Sequence, residues 1–114
     1  MGSNISTVAA VRVTDYAAES VAAGIGQALA LLGGWERFVQ PGDRVLLKPN
    51  LLEGVPAECA VTTHPEVLRA VIRQVKALGA VPVVGDSPGV SGTLKAAEKC
   101  GIAAVCSEES VRLV

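Results

Sequence analysis

Lys48 and Asn50 follow one short apolar run, Val45-Leu46-Leu47, and Asp86 and Ser87 follow another, Val81 to Val84. A cation, an amide, a carboxylate and a hydroxyl that leave two strands of a parallel pair collect at one edge of the sheet. In open α/β sheets that edge is where ligands sit. Thr63 and His64 stand just before a third element, an amphipathic helix over Pro65–Leu78. An ammonium near a helix N-terminus suits a carboxylate or phosphate. The candidate ligand-binding set is therefore Lys48, Asn50, Thr63, His64, Asp86 and Ser87, with a small anion as the ligand class.

Each of these residues also has a plainer role. Lys48 can extend into solvent or pair with Asp86. Asn50 can stabilise its own loop through an Asx-type bond. Thr63, with Glu66 three residues on, fits a capping box. His64 is the sole histidine and fits an exposed first-turn residue. It has no neighbour at metal-ligand spacing, so no metal site is assigned. Gly85-Asp86-Ser87-Pro88-Gly89 reads either as a backbone nest for an anion, with a helix N-terminus behind it, or as an ordinary β–α turn.

The elements that must position these residues alternate strand and helix. Strands are expected at Val8–Val13, Val45–Lys48, Val81–Val84 and Ile102–Val105, with Val111–Val114 as a further candidate. Helices are expected at Tyr16–Leu32, capped by Asp15, then at Pro65–Leu78, and at Thr93–Cys100, capped by Ser91. Leu68, Val71, Ile72, Val75 and Leu78 make one apolar face at 3.6-residue spacing. Trp35 and Phe38 are expected to cap the core. Gly24-Ile25-Gly26 lies inside a helix, so it serves close packing and is no dinucleotide fingerprint. Pro49–Thr63 is a long connection of the kind that is functional or mobile. The expected fold is α/β, a three-layer α/β/α arrangement with a mainly parallel sheet of about four strands.

Composition bounds the rest. The chain has 114 residues, half of them hydrophobic, with one Trp, one Tyr and one Phe. Its length suits a single α/β domain over residues 1–114 with an aliphatic core. Ten basic and eleven acidic residues leave a net charge of −1. No basic stripe is present, which argues against nucleic acid. The most apolar stretch, Val21–Leu32, is too short to span a bilayer, and the N-terminus has no signal-peptide pattern. A cytoplasmic location is expected, and three cysteines suit a reducing compartment.

The segments LLKPNLL, AVTTHPEVLRAVIRQVKALGA and VPVVGDSPG, in that order, resemble the family known as domain of unknown function 362. The resemblance runs over roughly Val45–Gly101. Many members carry ferredoxin-type segments and are described as iron–sulfur cluster-binding proteins, and members are longer than this chain. The resemblance therefore implies an N-terminal fragment of a longer protein, an α/β module whose 4Fe-4S clusters are held elsewhere. Cys59, Cys100 and Cys106 contain no C-x₂-C pair and are one short of four ligands, so no cofactor is expected in this chain.

No reaction is identified, because no nucleophile–base set, carboxylate pair or Walker loop is complete. Three readings stay open. The first is a module of an iron–sulfur redox protein. The second is a domain, or enzyme, that takes a small anionic metabolite at the sheet edge. The third is a non-catalytic assembly domain that forms a homo-oligomer through an exposed sheet edge.

Overall fold

A computed structural model describes residues 2, 4–87 and 92–114. Three parallel strands form the sheet in the order β1-β2-β3: β1 is Arg44–Leu47, β2 is Val81–Val84 and β3 is Arg112–Leu113. Four helices accompany it: α1 (Ala18–Leu31), α2 (Pro65–Ala77), α3 (Thr93–Lys99) and α4 (Ile102–Glu108). The expected α/β fold with a parallel sheet holds, with three strands among the described residues where about four were expected.

The β1–α2–β2 unit is as the sequence predicts. Leu47 pairs with Val84 at its C-terminal end, so Lys48 and Gly85 leave the sheet side by side. Leu68, Ile72 and Val75 bury one face of α2. Leu68 and Ile72 join Leu51, Val84, Ile102 and Val105 in the main core, and Val75 packs with Val39 and Ala80 in a smaller one.

Two expected strands are not strands. Ile102–Val105 belongs to α4. Its apolar run is short enough to fit either period, but Ile102, Val105 and Cys106 fall on one helical face and are all buried. Gly101, at φ +87°, turns the chain sharply out of α3, a conformation that glycine adopts at little cost. The chain then needs α4 to carry it back to β3, because parallel strands require a long crossover.

Val8–Val13 forms no ladder. Its β-propensity is real, but a strand needs a partner edge, and this segment lies on α1 instead. A Cβ at Gly24 would lie 2.2 Å from Val13 Cγ2. The glycine inside α1 thus admits this segment, where the sequence suggested contact between helices. Phe38 is another correction. It is 55% exposed with Arg37 over its ring, while Val39 enters the core.

The strands alternate in burial. Val45, Leu47, Pro82, Val84 and Leu113 face the helices, and Arg44, Leu46, Val81 and Arg112 face the other way. α2 touches β2, α4 touches β3, and α2 and α4 touch each other, so these helices share one face. No described helix is long and apolar enough to cross a membrane.

Candidate functional site

Asp86 organises the edge. It follows β2 by two residues and is drawn inward, with its side chain 7% exposed. One oxygen, Oδ2, accepts a hydrogen bond from the Leu51 backbone N–H at 2.9 Å. The same residue's carbonyl accepts from the Thr93 hydroxyl at 3.0 Å, which ties the start of α3 to the strand end. The Leu51 N–H, more than any other group, holds the Asp86 carboxyl below its ordinary 3.8. The Ser87 N–H and Lys48 add to this, and burial opposes it. Asp86 is thus a fixed anion whose first duty is to the loop.

That loop is stitched at its neck. Asn50 N–H donates to Thr63 Oγ1 at 3.0 Å and Thr63 N–H donates to the Asn50 carbonyl at 3.1 Å. Leu51 plugs the core at 0% exposure. The long connection between β1 and α2 is therefore closed at its base. Thr62, beside this neck, is 9% exposed, and its hydroxyl has no hydrogen-bond partner among the described residues.

The N-cap of α2 differs from expectation. His64, not Thr63, is the cap, and its Nδ1 accepts from the Glu66 N–H at 3.1 Å. Thr63 is spent on Asn50, and Glu66 turns to Arg69 at 3.0 Å. The His64 ring stacks on Tyr16 with centroids 3.7 Å apart. Pro65 has no N–H, and Val67 N–H goes to the His64 carbonyl. The first donors of α2 are therefore satisfied internally. Any anion at this edge would depend on side chains more than on the helix terminus.

Lys48 is the reverse of Asp86. Its side chain is 71% exposed and its Nζ lies 3.7 Å from Asp86 Oδ1. That distance is a charge contact, too long for a hydrogen bond. Lys48 stands between two shallow clefts. One, of about 310 Å³, contains Lys48, Asp86, Ser87, Gly85, Leu46 and Val114. The other, of about 250 Å³, adds Thr63 and the flank of α2. The edge thus brings Lys48, Asp86 and Ser87 together and sets Thr63 on the far side of the lysine. Asn50 is exposed at the loop neck, and His64 is turned to Tyr16. Pro88, Gly89 and Ser91, part of the expected nest and helix cap, lie outside the described residues.

Two contacts were illegible in the sequence. The Asp86–Leu51 tie and the Tyr16–His64 stack join residues 35 and 48 positions apart. Neither has a local signature.

The cysteines do not fit an iron–sulfur cluster. Cys100 and Cys106 are buried in the core and Cys59 is exposed in a short turn. Burial pushes the Cys106 thiol up, away from the thiolate a cluster needs. No three metal-ligating side chains gather among the described residues.

The family model described as Domain of unknown function (DUF362) matches residues 45–114, and the chain belongs to that family. A thylakoid-associated protein of Synechocystis sp. is 42% identical over 97 residues, which is 85% of this chain and 30% of that protein. The chain therefore spans less than a third of that relative's length. No solved structure matches.

Proposed function

We propose that this chain is the α/β part of a DUF362 protein and binds a small anionic metabolite at the C-terminal edge of its sheet. Lys48 supplies the charge, Ser87 a hydroxyl, and Asp86 the fixed wall. One observation carries this reading: an ammonium 71% exposed is held beside a carboxylate that is itself 7% exposed and already bonded to the backbone.

Magnitudes decide that the lysine is available. An exposed ion pair at this separation is worth about 0–1 kcal/mol. A charge-assisted hydrogen bond to an incoming carboxylate or phosphate is worth about 1.5–3 kcal/mol. The ligand's anion therefore displaces the Asp86 contact without unseating Asp86, which keeps its Leu51 bond. The neighbouring negative charge keeps affinity low, with Kd on the order of 1 mM for a simple anion. Iron–sulfur chemistry, which the family resemblance implies, would rest on cysteines outside these 114 residues. The thylakoid association named for the Synechocystis protein makes a membrane-adjacent location the proposal to test alongside a cytoplasmic one.

Isothermal titration with inorganic phosphate and with a short dicarboxylate tests the site. Binding that weakens about tenfold or more in Lys48→Met supports it. Equal heats for the parent and the variant would remove Lys48 from any site.

A further inference from the structure

The sheet has a second face. Leu46 is 64% exposed, Val81 55% and Val114 51%, and Arg44 and Arg112 are exposed beside them. Parallel sheets are ordinarily covered on both faces, because their crossovers put helices there. Here α2 and α4 lie on the same side. The other side presents a shallow groove of about 340 Å³ lined by Arg44, Leu46, Val83, Arg112 and Val114, with Val45 at its margin.

We propose that this face docks an amphipathic helix of a partner protein whose apolar stripe carries two carboxylates about two turns apart. The register supplies the geometry. Leu46 pairs with Val83 and Val83 with Arg112, while Arg44 pairs with Val81. The arginines thus occupy diagonal corners of the patch, separated by two strand spacings and two residues, about 12 Å. Leu46, Val81 and Val83 lie between and beside them. A helix is about 10 Å wide, and positions i and i+7 are about 10.5 Å apart along it. Such a helix seats its apolar stripe on the valines and leucine and brings a carboxylate to each guanidinium.

Charge selects the partner. Neither Arg44 nor Arg112 pairs with an acidic side chain among the described residues, whereas Arg69 and Arg73 do. A second copy placed face to face would set these arginines against their own copies, a like-charge arrangement that disfavours self-association. The occupant is therefore an acidic helix of a different chain. Leu46 and Val114 line both this groove and the cleft beside Lys48. A docked helix would complete that cleft's outer wall, but docking stands independently of any ligand there.

The test uses the full chain with labelled Leu, Val and Ile methyl groups. The probe is a synthetic peptide of about 18 residues with leucines at i, i+3, i+4 and i+7 and two flanking glutamates. A control peptide carries lysines in place of the glutamates. Shifts confined to Leu46, Val81, Val83 and Val114 with the glutamate peptide, and a binding preference at least tenfold over the lysine peptide, are expected. The Arg44→Glu/Arg112→Glu double variant, both sites being exposed, should reverse that preference while the Ile72 methyl stays in place. No shift at those methyls, equal binding of the two peptides, or self-association that buries Leu46 would overturn the proposal. The two peptides alone decide it should the double variant fail to fold.

Discussion

Replacing Asp86 by Ala should unlock the loop between β1 and α2. The wild-type carboxylate makes two contacts of different worth. Its bond to the Leu51 N–H is 2.9 Å, charge-assisted and part-buried. Such a bond contributes about 1.5–3 kcal/mol, and its loss leaves a buried donor unpaired. Its contact with Lys48 is 3.7 Å and reaches a side chain 71% exposed, so it contributes about 0–1 kcal/mol. Asp86→Ala should therefore cost about 2–4 kcal/mol in urea unfolding at neutral pH. Lys48→Met should cost under about 1 kcal/mol, and Asp86→Asn, whose amide oxygen still accepts, should fall between. Amide exchange reads the mechanism directly, since Leu51 should lose protection in Asp86→Ala and keep it in Lys48→Met. The pH dependence follows from the lowered Asp86 pKa. This contribution is whole above the unfolded carboxyl's ordinary 3.8 and is lost as pH falls below it, through the folded value. An Asp86→Ala change within about 0.5 kcal/mol of zero, with Leu51 still protected, would refute the reasoning.

Three other outcomes are expected. Ile72, at 0% exposure in the main core, should cost about 2–5 kcal/mol on substitution by Ala, read by denaturant unfolding. Gly24→Ala places a Cβ 2.2 Å from Val13 Cγ2. It should detach residues 5–13, making them cut faster by protease, while the helix propensity gained, about 1 kcal/mol, offsets part of the loss. Glu109 is held below its ordinary 4.5 by Arg73 first and by Arg69. Its contribution is present above about pH 4.5 and fades below, so Arg69→Ala should flatten the acid side of the stability profile.

The sequence made the β1–α2–β2 unit legible because each signal was local. Apolar runs ended in polar residues, and Leu68, Ile72 and Val75 repeated at helical spacing. Lys48 and Asp86 came out at the same edge because parallel pairing requires it. The failures were tertiary. Ile102–Val105 is apolar in both periods, and only the need to return to β3 makes it helical. Val8–Val13 has every local mark of a strand, but strand identity belongs to the partner, and Gly24 offered a notch instead. The α2 cap moved from Thr63 to His64 because Asn50, thirteen residues away, takes the threonine hydroxyl. The open face of the sheet was invisible for a related reason. Leu46 and Val81 read as core residues until the helices they lack are counted.

The central claim, that Lys48, Asp86 and Ser87 form an anion site at the sheet edge, is tested most directly by a nitrogen–proton NMR titration of the whole chain with inorganic phosphate at low ionic strength. Low salt matters because an exposed ammonium is screened over about 10 Å at 0.1 M. The account predicts saturable shifts centred on Lys48, Gly85 and Ser87, with the Leu51 amide protected throughout and the shifts abolished in Lys48→Met. Shifts that are absent, that never saturate, or that centre on residues away from this edge would contradict it.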